Sequence, residues 1–201
     1  MPTEPGDGGT PIDPDEAEGL LHGHVATRAE LNELEQENIA LGLEWATRAT
    51  LSGKRRRDVL TEDFLYELHR RMFGHVWDWA GQVRRTNKNI GVDWPQVRPA
   101  VRDLIEDARL WREHSVYDPD ELAVRFHHRL VAIHPFANGN GRHARMLADL
   151  LALQQGQPRF SWGGGRLETT SEMRAAYMGA LRQADAGDIG PLLHFARAAS
   201  V

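Results

Sequence analysis

The chain has 201 residues, 41% of them hydrophobic, no cysteine, and a formal net charge of -5 from 24 Lys and Arg against 29 Asp and Glu. That length suits one domain with a substantial core and is too short for two comfortable ones. The lack of cysteine excludes a disulfide framework, no apolar run is long enough to span a bilayer, and the start lacks a signal peptide's basic-then-apolar pattern; a soluble, cytoplasmic protein is expected.

Residues 1–20 hold six acidic residues and no Lys or Arg, which leaves 24 basic against 23 acidic residues, or +1, for the rest. Four prolines and several glycines accompany the acid, so this tail is expected to be mobile, with a single domain over 21–198. Thr27 and Glu30 form a capping box that opens a helix through Leu31, Leu34 and Ile39, expected over 27–45. The cluster Lys54-Arg55-Arg56-Arg57 reads as a solvated connector rather than a nucleic-acid patch, and no direct nucleic-acid binding is expected.

Thr61 can cap a second helix containing Leu65, Leu68 and Met72, which Gly74 would stop. Trp77 and Trp79 read as core packing. From Gln82 to Val92, β-favouring residues surround an Asn-Lys-Asn-Gly turn, the pattern of a hairpin. A helix should follow Pro95, carrying Val97, Val101, Leu104, Ile105 and Ala108 inward. Asp118 then looks like an N-cap with Pro119 at the first helical position and Glu121 completing a box. The stripe Leu122, Phe126, Leu130 and Ile133 carries this helix to His134, before Pro135. Another stripe, Met146, Leu147, Leu150 and Leu151, runs to Gly156, a plausible C′ glycine. Two short helices are expected near 172–183 and 188–198.

Between the two long stripes lies His134-Pro-Phe-Ala-Asn-Gly-Asn-Gly-Arg-His-Ala-Arg145. The turn Asn138-Gly139-Asn140-Gly141 leads into a helix whose first amides lack partners and carry partial positive charge, and glycines admit a ligand close to that backbone. Arg142 and Arg145 share the first turn of one face, where guanidinium forks take phosphate oxygens. His134, at the preceding helix exit, suits the removal of a proton from a hydroxyl. Each feature alone has an ordinary structural explanation; their ordered combination points to phosphate-linked group transfer.

This signature resembles that of the Fic family, H-x-F-x-[D/E]-G-N-G-R-x-x-R, at His134, Phe136, Gly139, Asn140, Gly141, Arg142 and Arg145. The resemblance implies an all-α bundle with a short β-hairpin flap and an activity that moves AMP from ATP to a protein hydroxyl. It assigns His134 as general base and Gly139, Asn140 and Gly141 as the anion hole. Arg142 would hold the outer phosphates, Arg145 the γ-phosphate, and Phe136 would anchor the loop. The flap would be Thr86, Asn87, Lys88, Asn89, Ile90 and Gly91, pairing with the extended backbone of a target. The family's metal-binding carboxylate is replaced by Asn138, a weaker ligand for the Mg²⁺ that accompanies ATP. Glu37-Asn38 resembles the end of the family's inhibitory motif, in which the glutamate pairs with the second arginine, here Arg145; Glu33 stands where that motif has Ser or Thr.

Around Phe126-His127-His128-Arg129-Leu130, and in the Asn-containing signature, the chain further resembles the bacterial subgroup called mobile mystery protein B. Its members occur beside a helix-turn-helix partner, mobile mystery protein A. Three other readings stay open: a metal hydrolase using His127, His128, His134 and His143; the same cradle used for phosphoryl or another phosphate-linked transfer; and a toxin-like binding module weakened at Asn138. The first is disfavoured because adjacent His127 and His128 point to different helix faces and no carboxylate follows at ligand spacing.

Overall fold

The computed structural model describes residues 19–23, 25, 27–51, 56–164 and 170–198. Among them it is helical: α1 Arg28–Leu51, α2 Glu62–Phe73, α3 Val97–Glu113, α4 Pro119–Ile133, α5 Asn140–Gln154, α6 Thr170–Asp185 and α7 Gly190–Arg197, with a 3₁₀ turn at Trp94–Gln96 leading into α3. No helix among the described residues is long and apolar enough to cross a membrane.

The helix starts follow local chemistry. Thr27 and Glu30 exchange the two bonds of a capping box, Thr27 N to Glu30 Oε2 at 3.1 Å and Glu30 N to Thr27 Oγ1 at 3.2 Å. The helix they open runs to Leu51, further than 27–45. Thr61 accepts from Phe64 N at 3.1 Å, the capping bond that fixes the start of α2. Asp118 and Pro119 occupy the expected cap and first position of α4, but the Asp118 side chain makes no capping bond, and Glu121 instead pairs with Arg125 one turn on.

Packing places α5 at the centre: α4 and α1 lie against it, α2 touches it, and α3 backs α4. Its residues Ala144, Leu147, Ala148, Leu150 and Leu151 have no measurable exposure, so this helix is enclosed on nearly all sides. An enclosed α5 fixes the direction of its N-terminus, the end that carries Gly139 to Arg142.

Two expectations are revised, those for the tail and for the hairpin. The tail was bounded at residue 20, yet Gly19 and Leu20 dock: Leu20 bridges Trp77, Asp78 N donates to Gly19 O at 2.9 Å, and Leu21 N to Val76 O at 2.9 Å. Residues 1–18 lie outside the described residues. Of the basic cluster, Lys54 and Arg55 also lie outside them; Arg56 and Arg57 are exposed, as expected of a solvated connector, with the Arg57 guanidinium 5.5 Å and 5.4 Å from the rings of Trp45 and Phe64. The hairpin over Gln82 to Val92 is absent, the segment being bends and coil with no strand. Its polar groups bond elsewhere: Asn87 Nδ2 donates to Asp93 Oδ1 at 3.1 Å, Trp94 N donates to Asn87 Oδ1 at 2.8 Å, and the Thr86 and Val92 carbonyls both accept from the Arg84 guanidinium. Those carbonyls are therefore not free to form a ladder.

Candidate active site

Helix α4 ends at His134, a non-glycine residue in the left-handed region at φ 56°, and its N–H closes on Leu130 O at 3.1 Å. This conformation is uncommon and turns the chain sharply into Pro135. Burial pushes the His134 imidazole down to about pKa 4; the Val131 carbonyl acts against that shift, while Arg84 and Lys88 reinforce it. The side chain is therefore neutral near pH 7 and can accept a proton.

Five residues on, α5 starts from Gly139 at φ 76°. A Cβ at Gly139 would sit 2.6 Å from the Phe73 ring, so both backbone and space require glycine. No side chain caps this end, and the first helical bond is His143 N to Gly139 O at 3.0 Å. The amides of Asn140, Gly141 and Arg142 thus lack helical acceptors, and space is open beside Gly141. This arrangement suits an anion.

The loop between base and helix is braced from inside. Asn140 forms a two-way clamp, its Oδ1 accepting from Phe136 N and its Nδ2 donating to Phe136 O, both at 2.9 Å. Only the backbone of Asn140 remains for the anion hole. Phe136 is fully buried, which contributes about 1.5–3 kcal/mol. His69 stacks on it at 3.6 Å between ring centroids. The His69 ring is pinned at both nitrogens, Nδ1 accepting from Gly81 N at 2.9 Å and Nε2 donating to Asn138 O at 3.0 Å. Burial holds its pKa well below the ordinary histidine value, with the neighbouring His143 adding to the effect.

The two arginines are placed differently. Arg142 lies 4.8 Å from the Phe73 ring centroid and its Nη1 donates to Glu35 Oε2 at 2.6 Å. Glu35 is 8% exposed and takes a second bond, at Oε1, from Trp77 Nε1 at 2.8 Å. Arg145 sits over the Tyr177 ring at 5.4 Å, and the Tyr177 hydroxyl bonds His127 Nε2 at 3.0 Å. The pairing anticipated between Glu37 and Arg145 is not formed: Glu37 is exposed. The phase of α1 turns Glu35, not Glu37, toward the site.

Beside the loop, a cleft of about 250 Å³ is lined by Trp79, Val83, Arg84, Thr86, Lys88 and Ala137 among others. It brings part of the anticipated target-binding segment, Thr86 and Lys88, next to the signature loop. Asn87 is tied to Asp93 and Trp94, Gly91 abuts His134, and Asn89 and Ile90 are exposed. The other histidines are spent separately. His127 bonds Tyr177, His128 pairs with Asp185 at 2.8 Å, and His143 Nε2 bonds Leu65 O at 2.9 Å. Among the described residues, no cluster of three or more His, Asp or Glu side chains is arranged to hold a metal.

Comparison with known proteins gives the arrangement its family. A profile described as the Fic/DOC family matches residues 59–152, which include the whole signature. The chain carries a Fic/DOC family domain over these residues. It is 30% identical over 169 residues to protein adenylyltransferase fic-1 of Caenorhabditis elegans, covering 81% of this chain and 32% of that protein. With protein adenylyltransferase Fic of Nematostella vectensis it shares 33% over 174 residues, covering 80% and 37%. The chain thus spans about a third of the curated relatives it matches. Its fold is similar to that of a Fic domain containing signaling protein from Bacteroides thetaiotaomicron, with a TM-score of 0.69 at 22% identity, over 87% of this chain and 70% of that one.

Within this Fic domain the donor set at Asn138 fits Mg²⁺ poorly. Its Oδ1 accepts from Gly139 N at 2.6 Å, so the neutral oxygen that stands in for a carboxylate already has a partner. Four residues that bear on the site went unnoticed in the sequence: Glu35, His69, Arg84 and Tyr177. Only Glu35 had a usable signal, the helical phase of Leu31; the others are assigned by contacts between distant segments.

Proposed function

We propose that this Fic domain transfers AMP from ATP to a Tyr, Ser or Thr hydroxyl of a target protein. The single observation that carries the proposal is the pairing of a neutral base, His134, with an uncapped glycine-led helix start bearing Arg142 and Arg145. The names of the relatives support the same chemistry. Under this reading the phosphates of ATP lie on the amides of Asn140, Gly141 and Arg142, with Gly139 giving close access. His134 takes the hydroxyl proton as the hydroxyl oxygen bonds to the α-phosphorus. The bond from that phosphorus to the bridging oxygen breaks, and pyrophosphate leaves against Arg142 and the helix N-terminus. Arg145, which rests over the Tyr177 ring, is the residue the family signature assigns to the γ-phosphate.

Glu35 adds a brake to the proposal. While it holds Arg142, the outer phosphates have lost one of their two cations. Asn138 stands where the family signature has a carboxylate, and its neutral oxygen, already bonded to Gly139 N, would hold a Mg²⁺ accompanying ATP only weakly. Residues 86–91 form the segment on which the target docks. We place the chain in the bacterial cytoplasm with a helix-turn-helix partner of the mobile mystery protein A kind, on the strength of the subgroup resemblance at Phe126-His127-His128-Arg129-Leu130. The substitution at Asn138 supports a second reading, a weakened, toxin-like module that keeps the fold.

The deciding experiment incubates the chain and His134→Ala with α-labelled or γ-labelled ATP in host lysate. Label on protein from the α position, lost in His134→Ala, is the expected result. Label from the γ position identifies phosphoryl transfer instead. No label, together with an unchanged cellular phenotype in His134→Ala, favours the binding module.

A further inference from the structure

Arg84 is the one arginine among the described residues that is buried, at 4% exposure, and it takes part in none of their ion pairs. Asp93 favours the charge only from beyond ion-pair distance, and a buried cation without a paired carboxylate is costly unless dipoles replace its water. Here four main-chain carbonyls do so. Nε donates to His134 O at 2.7 Å and Nη1 to Thr86 O at 2.8 Å; Nη2 donates to Val92 O and, at 3.4 Å, to Ile133 O.

The four acceptors come from two places. Thr86 and Val92 are the two ends of the seven-residue segment that carries the anticipated target-binding residues. Ile133 and His134 end α4, where orphan carbonyls and the helix dipole favour a positive charge. The main chain reinforces the junction, with Arg84 N donating to Pro135 O at 3.0 Å and Val92 N to Ile133 O at 3.3 Å. Gly91, at φ 104°, closes it: a Cβ there would lie 2.7 Å from His134 Cβ and 2.9 Å from Arg84 Nη2. A planar fork with five donors can span all four carbonyls, whereas an ammonium is a point donor.

We propose that Arg84 is a positioning residue for the transfer reaction, tying both ends of the 86–92 segment to the residue that carries the base, so that the target's docking segment and His134 are held as one unit. This rests on the adenylyl-transfer reading of His134. The guanidinium also holds the carbonyl of a residue in the left-handed conformation, which persists only where the surroundings fix it. Because the phosphates lie on α5, loss of the tether disturbs the placement of the hydroxyl and base more than the binding of ATP.

The test compares the full chain with Arg84→Gln, Arg84→Lys and Gly91→Ala, the last disturbing the same junction, by crowding His134 and the guanidinium, without replacing the arginine. Amide hydrogen exchange is read on the nucleotide-free protein, and AMP incorporation from α-labelled ATP is followed across an ATP titration in host lysate. We expect the Val92 amide to exchange at least tenfold faster in both Arg84 variants, with amides 147–151 of α5 unchanged. Transfer at saturating ATP should fall at least tenfold while half-saturation by ATP moves less than threefold, and Gly91→Ala should follow the same direction. Wild-type exchange and transfer in both Arg84 variants overturns the proposal, as does a loss expressed wholly in the ATP half-saturation. Should Arg84→Gln fail to fold, Arg84→Lys and Gly91→Ala decide. Faster Val92 exchange in a chain whose wild type transfers no AMP upholds the tether and refutes the adenylyl-transfer reading.

Discussion

Replacing Glu35 with glutamine tests the brake with little change in shape. Glutamine keeps an oxygen for Trp77 Nε1, now 2.8 Å from Glu35 Oε1, and removes the charge that holds Arg142 Nη1 at 2.6 Å. A hydrogen bond between charged groups contributes about 1.5–3 kcal/mol. The Arg142 side chain is 35% exposed and that of Glu35 10%, so water screens one partner and the lower figure applies. ATP must displace Glu35 to use Arg142, and in the variant it no longer does. About 1.4 kcal/mol corresponds to a factor of ten in affinity, so Glu35→Gln should bind ATP about tenfold more tightly. Calorimetric titration with a non-hydrolysable ATP analogue measures this directly, with Glu37→Gln as the control that stays within twofold. Equal affinities for wild type and Glu35→Gln would refute the reasoning, as would an equal gain from the exposed Glu37.

His134 is neutral down to about pH 4, so AMP transfer should stay nearly flat from pH 7.5 to 5.5. A base with the ordinary histidine pKa of about 6.5 would lose about tenfold over that range, and such a loss would show that burial does not set its titration. Stability should respond where catalysis does not. His127 and His143 are pushed to about 3 and His69 well below its ordinary value, all chiefly by burial, so each is neutral when folded yet takes a proton on unfolding below about pH 6.5. Their contribution is complete above that pH and declines as pH falls toward their folded values; a melting temperature that does not drop between pH 7 and pH 4.5 in a thermal scan would contradict this. Asn138→Asp supplies a charged oxygen at the metal position and should increase AMP transfer at low Mg²⁺; an unchanged Mg²⁺ titration means that residue 138 does not touch the ion.

Helix boundaries were legible because they rest on local chemistry. Thr27 with Glu30, Thr61 with Phe64 N, and Pro119 at the first position of α4 act over three or four residues, within reach of a pattern in one chain. The signature loop was legible for the same reason. The hairpin failed because its outcome depends on Arg84, which takes the Thr86 and Val92 carbonyls on behalf of a helix about fifty residues away. No local preference of Gln82 to Val92 contains that information. The glutamate that meets Arg142 is an intermediate case. Glu33, Glu35 and Glu37 alternate, and a helix turns about 100° per residue, so only one of them can share a face with Leu31. Leu31, Glu35, Asn38, Gly42, Ala46 and Thr50 are all buried and follow the three-and-four spacing of a single stripe. A hydropathy reading misses this face because half of it is polar; its phase was nonetheless set by Leu31 and pointed to Glu35.

The same stripe explains why buried polarity marks this site better than apolar burial does. An unpaired buried polar group costs about 1–3 kcal/mol, so each one present must be answered by a particular partner. Glu35 is answered by Trp77 and Arg142, His69 by Gly81 and the Asn138 carbonyl, Arg84 by the end of α4, and Asn140 by both main-chain groups of Phe136. His127 is answered by Tyr177, the ring beneath Arg145. Each of these bonds ends on the His134 to Arg145 segment or on a group that touches it. An apolar core would pack α4 against α5 with equal strength, but it would leave the loop between them free to choose among conformations. Directional partners remove that choice: His134, the approach to the α5 start and Arg142 are each tied to a residue outside the segment. Substitutions at these partners should therefore change catalysis before they change the fold.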